Sequence, residues 1–305
     1  MAADPSGTLY VVDTTANTVR QITPAGVVTT LAGKTDVSGH QDGRGLEALF
    51  NSPMGIARDP SGTLYVADSA ASVVRRITRD GVVSTLAGLP NVRGNVDGVG
   101  VAARFSAPMA IAIDGAGNLL VTDEWVNNIR KVTPAGEVTT WANQSGQRGS
   151  TDGPAGQARF IVPAGIAIDH AGNVYVCDYG NRTIRKISPE GIVSTFAGRP
   201  NPGAKRTPRS TDGTGAGGEF SSPLAITVDD SGNLYVADGN TIRKITAGGV
   251  VTTVAGVTGE AGIRLGPLPG LLENTSGLAL IDAHTLVATE RFSVLKIRLD
   301  GRQGP

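Results

Sequence analysis

The stretch MGIARDPSGTLYVADSAASVVRRITRDGVVSTLAG (54–88) decides the fold. It holds four short β-rich runs: MGIARD (54–59), TLYVAD (63–68), SVVRRIT (72–78) and GVVSTLAG (81–88). Pro60-Ser61-Gly62, the residues after Asp68, and Arg79-Asp80-Gly81 separate them. Links this short join only antiparallel neighbours, so the stretch reads as one four-stranded meander. Its first two runs are almost continuously apolar, which suits strands covered on both faces. The fourth run mixes apolar and hydroxyl residues, which suits a half-wet outer strand.

The same unit recurs along the chain. Segments like LYVAD end at Asp13, Asp68, Asp123, Asp178 and Asp238, in steps of 55, 55, 55 and 60 residues. A weaker copy, LVATE, ends at Glu290. The repeats fall at about 1–50, 51–105, 106–160, 161–220, 221–272 and 273–305. A sheet that is apolar on both faces cannot stand alone. Several packed face to face around an axis bury both faces, and closing the ring leaves only short edges. The expected fold is therefore all-β: a single six-bladed β-propeller of four-stranded antiparallel blades. The first unit lacks its leading strand and the sixth its fourth strand, so the first and last blades read as incomplete.

A second copied element links the units. It reads DGRGLEALF (42–50), DGVGVAARF (97–105), DGPAGQARF (152–160) and DGTGAGGEF (212–220), with constant Asp-to-Phe spacing. The fourth linker carries five extra residues around Lys205–Arg209. In the fourth unit the whole pattern is carried by Phe160, Pro163, Ile166, Asp169, Gly172, Tyr175, Asp178, Ile184, Arg185, Gly191 and Gly198. It resembles bacterial NHL repeats over essentially the whole chain. That resemblance implies a propeller serving as a sensor, an adhesion or assembly module, an RNA binder or, occasionally, an enzyme. The resemblance allows an extracytoplasmic or cell-surface location, while the residues themselves carry no address and leave open whether the protein has more chain.

Composition narrows these classes. Lys+Arg 27 balance Asp+Glu 27, so no net positive charge draws the chain to nucleic acid or acidic membrane. The 42 glycines and 17 prolines recur at fixed places and read as turns. Cys177 is the only cysteine, so no intrachain disulfide can form, and its place inside VYVCD reads as small core filler. The chain opens inside a repeat, so no signal peptide is expected in these residues, and no apolar run is long enough to span a bilayer.

Repeated polar residues point first to scaffold. Asp13, Asp68, Asp123 and Asp178 each precede an arginine (Arg20, Arg75, Arg130, Arg185) by seven residues. In the fifth unit, Asp238 and Arg243 are two residues closer. A hydrogen-bonded hairpin lock is expected, since one active site needs one constellation and not five. Phe50, Phe105, Phe160 and Phe220 are expected to lie buried between blades. The Asp-Gly steps are read as turn-capping, with calcium binding through carboxylate and carbonyl oxygens as the alternative. No other cofactor is expected.

Residues that break the symmetry carry more information. After the repeated Asp the chain reads TTANT (14–18), SAAS (69–72), EWVNN (124–128), YGNRT (179–183), GNT (239–241) and RFS (291–293). Glu124, Trp125, Tyr179, Arg182, Arg291 and Phe292 are the large or charged members and form the candidate ligand-binding set. Trp125 and Phe292 are equally readable as fillers of gaps on their own blades. Trp141 reads as core. His40, His170 and His284 are the only histidines, and the topology sends His40 to one face and the other two to the opposite one. No catalytic or metal-binding set is therefore assigned.

The leading expectation is a non-catalytic binding or assembly propeller that takes a protein or small-molecule ligand on the loop face. The alternative is a small-molecule hydrolase, lactonase or lyase with acids such as Glu124 and Glu290, beside Asn127 and Asn128, at the channel mouth. RNA binding through Arg93, Arg148, Lys205, Arg206 and Arg209 is a further alternative, which the bland reading of solvated loop charges outweighs.

Overall fold

A computed structural model describes residues 1–200 and 210–299. The chain is all-β and carries six antiparallel sheets, one per repeat. Contacts divide it into two compact units, Met1–Gln147 with the first three sheets and Arg148–Pro305 with the last three.

The second sheet shows how sequence makes a blade. Its strands are Pro53–Arg58, Leu64–Asp68, Val73–Ile77 and Val82–Ala87, each hydrogen-bonded to the next in order. Every residue of Leu64–Asp68 is buried, as its unbroken apolar run demands. Val82–Ala87 is mostly half-buried, the mark of an outer strand. At the turn after the first strand, Asp59 accepts the Thr63 amide and the Ser61 hydroxyl. Asp4, Asp114, Asp169 and Asp229 accept equivalent amides in their own blades.

Neighbouring sheets within a unit close on apolar faces. In the first unit one cluster joins Ala57, Tyr65, Ala67 and Val74 of the second sheet to Ile111, Leu119, Val121 and Val132 of the third. In the second unit, Tyr235, Ala237, Ile242 and Ala255 of the fifth sheet join Leu278, Leu286, Ala288 and Ile297 of the sixth. Innermost strands approach closely. A Cβ at Gly55 would fall 2.4 Å from the Met109 carbonyl oxygen, so only glycine fits there.

The linkers depart from expectation. Gly43–Arg44, Gly98–Val99, Gly153–Pro154 and Gly213–Thr214 each add a fifth, two-residue strand outside the fourth strand of the following blade. Four blades are thus five-stranded. The first blade also has its leading strand: Ala2–Ala3 pairs antiparallel with Leu9 and Tyr10. Two residues suffice for one rung of the ladder, too few for a hydrophobic pattern to announce. The last sheet has three strands, Gly277–Asp282, Thr285–Thr289 and Val294–Arg298, and so lacks a fourth among the described residues. Glu290 lies just past its second strand, not at its end.

Candidate functional site

Each unit has one surface where linkers meet the turns that follow the second strands. Asn17 accepts the Ser52 amide, Ala71 the Asn91 amide and Ala107 the Glu124 amide. This is the loop face that the meander topology predicts.

Beneath it the repeated polar residues form one structural unit. Arg75 is fully buried and donates to Asp68, Asp42 and the carbonyls of Leu49 and Gln41. Arg185 repeats this with Asp178, Asp152, Arg159 and Thr151, and Arg243 with Asp238, Asp212, Glu219 and Thr211. Arg130 bonds Asp97 and stands 3.9 Å from Asp123. The hairpin locks are real, and they extend further than the seven-residue spacing suggests. The Asp of each Asp-Gly step does not cap its own turn: Asp42 accepts the Arg75 guanidinium and both the amide and hydroxyl of Thr85. That corrects the turn-capping expectation: the carboxylate is spent on tying the linker to the third and fourth strands of the next blade.

Phe50, Phe105, Phe160 and Phe220 are buried, each under one of these guanidinium planes. In the first blade Arg20 stays partly exposed, 3.6 Å from Asp13.

Burial raises the carboxyls of Asp68, Asp123 and Asp178, and the donated amides and arginines offset this only in part. Cys177 is fully buried with its thiol pushed well up by desolvation and by Asp238 and Asp178, as suits inert filler. Trp141 is half-buried.

The candidate residues fall in three turns, one in the first unit and two in the second. In the third blade, Trp125 is 56% exposed. It is no gap-filler. The exposed Arg93 guanidinium lies 3.9 Å from its ring centre, a cation–π contact. Beside it Glu124 is half-buried, and desolvation raises its carboxyl. Asn127 and Asn128 are buried, and Asn128 donates to Asn95.

In the fourth blade, Tyr179 and Arg182 are half-buried members of one turn. Arg182 has φ +58°, the left-handed region. The equivalent positions, Asn17, Ser72 and Asn127, share that conformation with φ 55° to 60°. Asn and Ser tolerate it better than a long side chain does.

In the last blade, Phe292 is 88% exposed and Arg291 stacks 4.9 Å from its ring centre. Phe292 is not a filler either. Glu290 is buried, accepting the Glu273 amide and the Thr275 hydroxyl. It reaches 17 residues back along the chain, as Asp68 does to Asn51. It is a scaffold acceptor and not part of an open acidic mouth.

His40 contacts Asn91 and His170 contacts Asp230, each in its own exposed turn. Among the described residues no three His, Cys, Asp or Glu side chains gather into a metal-holding cluster. No helix of the described residues is long and apolar enough to cross a membrane. Arg148 is exposed on its linker, while Lys205, Arg206 and Arg209 lie outside the described residues.

The Teneurin NHL domain family matches residues 142–216. NHL repeat-containing protein 2 of Homo sapiens is 32% identical over 157 residues, covering 47% of this chain and 22% of that protein's length. The chain is an NHL-repeat β-propeller. The NHL propeller thus spans less than a quarter of that relative, and the curated matches carry the repeat family without its bacterial cast. Among solved structures, a gluconolactonase from Xanthomonas campestris superposes with a TM-score of 0.64 at 14% identity, covering 96% of the NHL propeller and 82% of the enzyme chain. A chain of a nidogen–laminin complex gives 0.63 at 14% identity, covering 96% and 89%. At these identities the likeness is one of fold.

Proposed function

We propose that this NHL propeller is a non-catalytic recognition module that takes a protein partner on its loop face, with Trp125 and Arg93 as the anchor in the third blade. One observation carries the reading. A tryptophan is more than half exposed at a turn position where the first, second and fourth blades have Thr15, Ala70 and Gly180. Holding it under a guanidinium restricts it before any partner arrives, so less entropy is lost on binding. Trp and Arg are the side chains that most often dominate interfaces. In the second unit Arg182 is another side chain that breaks the pattern, at a left-handed turn position that sister blades fill with Asn17, Ser72 and Asn127. A propeller chain in a nidogen–laminin complex supports a protein as the class of partner.

The hydrolase, lactonase or lyase reading draws on the gluconolactonase likeness and on Glu124, but Glu290 is already engaged. Metal analysis of protein purified without chelator, together with lactone hydrolysis, distinguishes the two. Stoichiometric calcium with turnover would replace the recognition reading.

The direct experiment places a photo-crosslinking residue at Val126, on the loop face, and another at Ser61, in a turn between first and second strands. Partners captured from the source cells by Val126 alone are then purified and titrated. Recognition predicts at least tenfold weaker binding for Trp125→Ala. Equal capture from Ser61, or unchanged affinity in Trp125→Ala, would reject it.

A further inference from the structure

In the fifth blade, Asp238 pairs with Thr241 only three residues on, whereas Asp178 of the fourth blade pairs with Thr183 five residues on. The longer turn is filled. Asn181 is fully buried and donates its amide to Asp178 and to the Gly149 carbonyl. Ala71 fills the same turn in the second blade. The shorter turn, Gly239-Asn240, has no counterpart to either, and a pocket of about 200 Å³ stands there.

The residues that line it are serines, threonines, asparagines, two glycines and Asp238. The buried Asp238 carboxylate lies at the base and accepts the hydroxyls of Ser210 and Ser221 and the amides of Ser221 and Ser222. The Ser222 hydroxyl and the Asn274 side chain line the pocket too, and neither has a hydrogen-bond partner among the described residues. Thr258 stands on the exposed rim.

This lining selects by chemistry. An apolar ligand would leave hydroxyls and amides unpaired, at a cost for each. An anion would face the Asp238 carboxylate; among the described lining residues none is cationic, and the buried Arg243 is already shared by Asp238, Asp212 and two carbonyls. Hydroxyl and amide groups both donate and accept, so they match a ligand that does the same. The volume is that of roughly seven waters at about 30 Å³ each. We infer that the shortened turn of the fifth blade forms a binding pocket for a neutral polyhydroxylated molecule of monosaccharide size. The pocket rests on residues other than Trp125 and Arg93, so it stands or falls separately from protein recognition.

Saturation-transfer NMR with glucose, galactose, mannose, ribose, inositol and sorbitol tests it, followed by titration of any binder. At least one should bind with a Kd on the order of 1 mM, the range open to so small a polar ligand. Thr258→Trp plugs the rim from an exposed loop and should weaken binding at least tenfold without lowering the melting temperature. Ser222→Ala removes one unpaired hydroxyl and should weaken it about threefold with the fold intact. Absence of saturation transfer for all six compounds, or equal affinity in both variants and the parent, would overturn the inference.

Discussion

The Arg75 guanidinium lies 5.1 Å from the centre of the Phe50 ring while donating to four oxygens. Arg130 over Phe105, Arg185 over Phe160 and Arg243 over Phe220 repeat the relationship at 5.2, 5.0 and 5.5 Å. The phenylalanine ends a linker and the arginine sits in the third strand of the next blade. Each pair therefore ties a linker to its blade.

Removing one of these arginines strands a buried acid. Arg185→Ala leaves Asp178 buried without its guanidinium and the Arg159 carbonyl without its donor, while the Thr151 carbonyl keeps the Arg159 amide. Such a loss costs about 3–5 kcal/mol, because the uncompensated charge remains. Denaturant unfolding should show that deficit in Arg185→Ala. Arg185→Lys should recover only part of it, since an ammonium cannot reproduce the planar fork. Full recovery by lysine would mean that charge alone suffices.

Asp123 gives the pH dependence a sign. Burial lifts its carboxyl from 3.8 to about 6, although the Ala107 and Ser106 amides and Arg130 favour the charged form. The folded state thus holds this proton more tightly than the unfolded chain does. Its stabilising effect is complete below about pH 4 and is lost as pH rises through 6. Asparagine cannot titrate. Asp123→Asn should therefore be less stable than the parent by a margin that shrinks by about 2–3 kcal/mol from pH 4 to pH 7. Thermal melts across that range check it, and a constant or widening margin would contradict it.

Arg182 occupies a left-handed position where two sister blades have asparagine. Relief of that backbone cost should make Arg182→Asn more stable by about 0.5–1 kcal/mol. If the side chain serves recognition, the same variant should bind the partner more weakly. Urea midpoints and partner titration measure the two effects on one protein. A destabilised variant would show that Arg182 is scaffold.

Much of this was legible in residues alone. The second strands read clearly because Leu64–Asp68 and Val174–Asp178 are buried on both faces, which forces an unbroken apolar run. The four-stranded meander, the Asp–Arg locks and the burial of the phenylalanines follow from such repetition. The linker strands did not read, because Gly43-Arg44 or Gly98-Val99 is too short to show an alternation. Asp42 was misread because its partner Arg75 is 33 residues away. Trp125 as filler and Trp125 as platform have the same sequence, and only its exposure and the Arg93 contact separate them. The shortened turn at Asp238 was visible, but its pocket needs Ser210, Thr258 and Asn274, which only the fold brings together.

On the proposed reading, repeated residues such as Phe105 hold the scaffold, whereas Trp125, which breaks the pattern, faces outward as a recognition platform. Urea unfolding of Phe105→Ala and Trp125→Ala, followed side by side by circular dichroism, tests that division most directly. Phe105→Ala should lose about 3–5 kcal/mol, as a fully buried ring does, and Trp125→Ala less than about 1 kcal/mol. Similar losses in the two variants would place Trp125 in the scaffold and contradict the division.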